Sequence, residues 1–158
     1  MGTTGAGKTT VGQLLAGRLS WTFLDADNFH PAANIAKMSE GIPLHDADRE
    51  PWLKSIRTEL ERLSAAQVNV VLACSALKRS YREALSAGMD LRVIYLRGTY
   101  EQMSRHVAAR HGHFAREGIL AGQFADLEEP SDAVVLDVSR QPAELVDEVL
   151  TRLKLNTP

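Results

Sequence analysis

Gly2-Thr3-Thr4-Gly5-Ala6-Gly7-Lys8-Thr9, at the head of a 158-residue chain, fits the pattern G-x-x-x-x-G-K-[ST]. Glycines let a backbone curl until its N–H groups converge on one point, where a side chain would obstruct an approaching anion. Lys8 supplies a cation that reaches the β- and γ-phosphates of a nucleotide, and Thr9 supplies a hydroxyl for Mg²⁺. Immediately behind the loop, Val11, Leu14, Leu15 and Leu19 recur at helical spacing and predict a helix over 8–19. Its N-terminal N–H groups and its dipole attract the same anion. The run Gly2, Thr3, Thr4, Gly5, Ala6, Gly7, Lys8, Thr9 and Thr10 is therefore the candidate nucleotide site.

The rest of the chain alternates between two periodicities. Trp21–Leu24, Val68–Ala73, Leu91–Leu96 and Ala133–Val138 are short apolar runs of the kind buried on both faces of a parallel sheet. Between them the spacing predicts helices over 51–63, 79–87, 100–110 and 143–153. Such alternation implies a parallel sheet with helices on both sides, and ligands beyond the strand C-termini. The expected architecture is a three-layer α/β/α fold of the phosphate-loop NTPase type, similar to nucleoside monophosphate kinases, in one domain over 1–158. Two segments break the alternation: a turn-rich stretch over about 29–50 and a second over about 111–125. Insertions at strand ends are where function concentrates.

A phosphate loop calls for a strand before it, and here only Met1 precedes the glycines. The expectation is a sheet with its first central strand missing and a slot one strand wide. Met1 then reads as an internal methionine at a strand's end, with about five to eight apolar residues upstream in a longer native chain. The 158-residue form is expected to be poorly stable and weakly active.

Composition narrows the function. Hydrophobic residues are 44% and charged residues 24%, as in globular domains. A net charge of −2 gives no broad basic face for nucleic acid. A single cysteine, Cys74, excludes an internal disulfide framework and a cysteine-based zinc site. No apolar run approaches the roughly 18 residues of a membrane helix, and Lys8 and Arg18 among glycines and threonines do not read as a signal peptide. A cytoplasmic protein is expected. The sequence holds neither the Asp-x-x-Gly nor the Asn-Lys-x-Asp element of a GTPase, which favours a small kinase. Asp25-Ala26-Asp27 follows the first apolar run. Residues two apart on an extended strand tip point the same way, so Asp25 can hold Mg²⁺ while Asp27 accepts the proton of an attacking hydroxyl.

Asp25-Ala26-Asp27-Asn28-Phe29-His30-Pro31, Gly41-Ile42-Pro43-Leu44, Asp46-Ala47-Asp48-Arg49 with Pro51-Trp52-Leu53, Ala73-Cys74-Ser75-Ala76-Leu77-Lys78, and Gln123-Phe124 with Leu127-Glu128-Glu129-Pro130 together resemble the gluconokinases. These are the shikimate-kinase-like members of the phosphate-loop kinases, and the resemblance runs from Gly2 to the last predicted helix. It implies transfer of phosphate from ATP to D-gluconate. A sugar-acid carboxylate needs a cation, and Arg49 is preferred for its two-pronged geometry, with Lys78 and Arg79 as rivals. His30, Asn34 and Lys37 are candidates for the hydroxyls. The stretch 111–125 resembles a lid. By the same resemblance Arg105 stacks on adenine with Pro142 near its other face, and Arg110, ahead of Arg116, meets the γ-phosphate. The family also suggests a homodimer. Shikimate kinase, a nucleoside monophosphate kinase, or an inactive nucleotide-binding module truncated at its N-terminus are the alternatives. Cys74 reads as a buried small apolar residue, and Trp52 as packing.

Overall fold

Helix α1, Lys8–Leu19, forms where the sequence places it, and ends where Ser20 turns left-handed at φ 55° and donates back to Ala16 and Gly17. In this computed structural model residues 1–109 and 113–157 are described, with the side chains of 113–117 outside that set. Strand β1 (Thr22–Asp25) follows, then a 3₁₀ turn (Ala26–Phe29), helix α2 (Ala32–Ser39) and helix α3 (Asp46–Ala65). Strand β2 (Val70–Ala73) leads to α4 (Arg79–Ser86), β3 (Ile94–Arg97) to α5 (Tyr100–Ala108) and α6 (His113–Asp126), and β4 (Val134–Asp137) to α7 (Pro142–Leu153).

The structure moves one helix start. Helix α3 begins five residues before the expected position, at Asp46, because Asp48 Oδ2 accepts the backbone N–H of His45 at 3.0 Å and caps the first turn. Pro51 consequently lies inside the helix rather than in its first turn. The turn-rich stretch 29–50 thus contains the whole of α2 and the opening of α3.

β1 pairs with β2 in parallel, Thr22 opposite Val70, and β3 pairs with β4 in parallel, Ile94 opposite Val134. Alternation along β2 shows why both faces need cover. Val71 packs with the cluster built by α1, α6 and α7, whereas Val70 and Leu72 pack with the cluster built by α3 and α4. Ile56, Met103, Leu120, Leu136, Val146 and Val149 are almost completely enclosed. Each such side chain contributes about 1.5–3 kcal/mol by leaving water. Three layers result, helices on either side of parallel strands. Among the described residues no helix is long and apolar enough to cross a membrane.

β2 and β3 do not pair with each other. Met1 and Gly2 lie between them. The Met1 amine donates to Ile94 O, Leu96 N–H donates to Met1 O at 3.0 Å, and Gly2 N–H donates to Ser75 O at 3.3 Å. Next to them a cavity of about 830 Å³ opens, with Leu15, Val71, Leu72, Leu85, Leu91 and Ile94 among its lining. Met1 and Gly2 thus bridge the two strand pairs, and the cavity lies beside them.

Cys74 borders this cavity, yet it is only 5% exposed, and burial pushes its thiol up to about 11. At neutral pH the native thiol is expected to react with dithionitrobenzoate at least ~100-fold more slowly than the denatured chain, since the thiolate is the nucleophile. Equal rates would show that this end of β2 is open to water.

Candidate nucleotide and substrate site

The loop's glycines are required by its shape. Gly5 and Gly7 have φ 82° and 83°, and a Cβ on Gly5 would lie 2.9 Å from the Met103 carbonyl oxygen. Gly7 caps α1 and offers no side chain to the first N–H groups of the helix, which have no intrahelical partner of their own. Lys8 curls back over the loop, its Nζ 2.9 Å from Thr3 O. Two contacts come from other elements. Thr4 N–H donates to Gln123 Oε1 at 2.6 Å, and His106 Nδ1 lies 3.0 Å from Gly5 O. A carbonyl only accepts, so Nδ1 carries the imidazole proton there.

β1 ends at the loop's side. Asp25 Oδ2 accepts from the Thr9 hydroxyl at 3.0 Å, and its Oδ1 accepts Asp27 N–H at 3.1 Å. The acid pair therefore does not extend along a strand tip: the strand stops at Asp25, whose own side chain closes the turn that carries Asp27. Asp27 is exposed. The turn is held from beneath by the buried indole N–H of Trp52, which donates to Ala26 O at 2.7 Å. Trp52 is thus packing with one polar handle, and His30 stacks flat on it at 4.7 Å. Burial holds the His30 imidazole below its ordinary pKa, Asp27 opposes that shift, and Arg49 reinforces it. His30 therefore feels the charges of both Asp27 and Arg49.

Beyond His30 lies a cluster of charges. Asn34, buried, donates to Asp48 O at 2.7 Å, and Lys37 Nζ pairs with Asp48 Oδ1 at 2.6 Å. Arg49 Nη1 donates to the Tyr81 hydroxyl and to Asp126 Oδ2, both at 3.1 Å. Lys78 Nζ lies 2.7 Å from Asp46 Oδ1 and 3.9 Å from Asp126 Oδ1. The Tyr81 phenol donates to Asp46 and its ring faces both Arg49 and Lys78 at 5.6 Å. Hydrogen bonds from Lys78 and then Tyr81 hold Asp46 below the usual carboxylate range. Two cations, two carboxylates and a phenol thus share one spot at the ends of α3, α4 and α6.

Not every expected residue joins it. The Arg79 side chain is exposed and pairs with Glu83 at 3.6 Å, while its backbone N–H binds Glu128. Arg105 is exposed in the last turn of α5, with its Nε 3.3 Å from Glu101 O, and Pro142 opens α7 after β4. Arg110 and the Arg116 side chain lie outside the described residues. Sequence reasoning missed Tyr81, Asp46, Asp126 and Gln123. Only two of these left a local signal: Asp46 with Arg49, and Lys78 with Tyr81, are three residues apart, a helical pair spacing.

A phosphate-binding loop opening a helix, an acid-bearing turn beside it and flanking parallel strands define a phosphate-loop kinase. The family model for shikimate kinase matches residues 4–154. The thermoresistant gluconokinase of Escherichia coli K12 is 39% identical over 149 residues, covering 91% of this chain and 85% of the relative. The gluconokinase of Gluconobacter oxydans is 46% identical over 134 residues, covering 84% of this chain and 75% of the relative. A solved gluconokinase of Sinorhizobium meliloti superposes with a TM-score of 0.86 at 41% identity, covering 98% of this chain and 89% of that one. The chain belongs to the gluconokinases of the shikimate kinase family.

Because its native pKa lies below the ordinary 6.5, His30 binds fewer protons folded than unfolded as pH falls through that value. Its neutral form therefore supports the fold above 6.5, and that support is lost as pH drops toward the lowered native pKa. Thermal melts across this range should show the wild type losing more stability on acidification than His30→Gln. Parallel slopes would remove His30 from the pH response.

Proposed function

We propose that this chain transfers the γ-phosphoryl group of ATP to the C6 hydroxyl of D-gluconate, giving 6-phospho-D-gluconate and ADP. Family membership supports the kinase class, and the names of the relatives support the substrate. The observation that carries the reading is the Asp25 carboxylate, bound by Thr9 of the loop on one oxygen and by the Asp27 amide on the other. It sets the candidate proton acceptor beside the candidate phosphate site.

In this reading the loop amides and Lys8 hold the triphosphate. Thr9 and Asp25 are a hydroxyl and a carboxylate at hydrogen-bond distance, a donor set that suits a hard cation. Mg²⁺ there would neutralise charge on the phosphate oxygens. Asp27 takes the proton of the C6 hydroxyl as that oxygen bonds to the γ-phosphorus. The bond to the β,γ-bridging oxygen breaks, and its electron pair leaves with ADP. Arg49, with Lys78 beside it, receives the sugar-acid carboxylate, while His30, Asn34 and Lys37 border the hydroxyls. Arg110 meets the γ-phosphate, and Arg105 and Pro142 flank the base. A need for ATP supports a cytoplasmic location. The match to a shikimate kinase model keeps shikimate as the second substrate to be offered.

Coupled ADP release measured with gluconate, shikimate and nucleoside monophosphates decides among these. Gluconate-dependent turnover is expected, and turnover with another acceptor alone would replace the reading. Asp27→Asn should keep ATP binding and lower kcat by at least ~10²-fold. Near-normal turnover would take Asp27 out of the acceptor role. Arg49→Ala should raise the KM for gluconate more than that for ATP; the reverse would shift the carboxylate to Lys78.

A further inference from the structure

Gln123 and Asp126 lie three residues apart on α6 and therefore project from neighbouring positions on one face. Their side chains reach two different places. Gln123 Oε1 accepts the Thr4 N–H of the phosphate loop at 2.6 Å. Asp126 Oδ2 accepts from Arg49 at 3.1 Å, and its Oδ1 lies 3.9 Å from Lys78. An amide oxygen thus rests on a donor suited to a phosphate oxygen. A carboxylate rests on cations suited to a carboxylate. The same helix packs through Leu120, fully buried, and through Phe124, which meets Tyr100 edge-on at 5.3 Å. The two arms therefore share one rigid rod, and one helix position satisfies both.

We propose that Gln123 and Asp126 are positioning residues that couple nucleotide binding to sugar-acid binding. Each occupies, in the ligand-free protein, donors that one ligand needs. A phosphate that displaces Gln123 removes a polar tether of α6 and lets the rod shift, so the second ligand displaces Asp126 at lower cost. Linkage makes the effect reciprocal. The proposal rests on the reading of Arg49 and Lys78 as the carboxylate site, and its nucleotide half is testable without that reading.

Isothermal titration of the full chain with gluconate and with a non-hydrolysable ATP analogue, each alone and each in the presence of the other, tests the coupling. In the wild type, the analogue should tighten gluconate at least about 5-fold, the lower end of typical couplings. Gln123→Ala, which does not touch the carboxylate cations, should tighten gluconate in the absence of nucleotide. Its residual nucleotide dependence should fall below about 2-fold. Asp126→Asn, which does not touch the loop, should tighten the analogue in the absence of gluconate. A purely structural role would weaken the remote ligand in both variants. Remote affinities that are unchanged or weaker, or a wild type in which neither ligand affects the other, would overturn the proposal. If gluconate binds no form, the substrate reading fails, and the response of the analogue to Asp126→Asn alone decides the coupling.

Discussion

A single carboxylate joins the two halves of the site. Asp25 stands at the end of β1 and uses one oxygen on Thr9, at the start of α1, and the other on the amide of Asp27. In stability these bonds are minor, about 0.5–1.5 kcal/mol each as typical net values. Their weight lies in position. Phosphoryl transfer gives a protein little covalent chemistry to do, and an error near 1 Å in placement can cost about 10²-fold in rate. The same turn is held a second time, by the Trp52 indole on Ala26 O. The exposed acid Asp27 therefore rides on a turn fixed from the loop side by Asp25 and from the core side by α3.

The charge cluster obeys a different logic. Arg49 is half-buried and would be costly to leave without counter-charge. Asp126 and Tyr81 meet that need, and Asp46 does the same for Lys78. Ion pairs of this kind, partly open to water, add little net stability. In the proposed reading an incoming carboxylate would exchange one weak pairing for another rather than enter an unscreened field, and would find its cations already placed.

Much of this was legible in the sequence because it rests on local rules. Gly5 and Gly7 announce left-handed backbone, Val11 through Leu19 announce one helical face, and the β-branched run ending at Ala73 announces a strand buried on both sides. The start of α3 was misplaced because the cap at His45 and Asp48 outweighed the signal of Pro51. The contacts of Gln123 and Asp126 were not legible. They join residues 119 and 77 positions apart in the chain, and no periodicity encodes which helix end meets which loop. Arg79 illustrates the converse: it neighbours Lys78 in sequence, yet the first turn of α4 carries its side chain to Glu83 instead.

The proposed reaction requires that the Asp25–Asp27 turn deliver a primary alcohol of a sugar acid to the phosphate held by the loop. Phosphorus NMR of the product formed from ATP and gluconate tests it most directly. A phosphate ester whose signal is split by two protons, as on a primary carbon, is the predicted result. Splitting by a single proton, as on a secondary carbon, or inorganic phosphate as the sole new signal beside ADP, would contradict it.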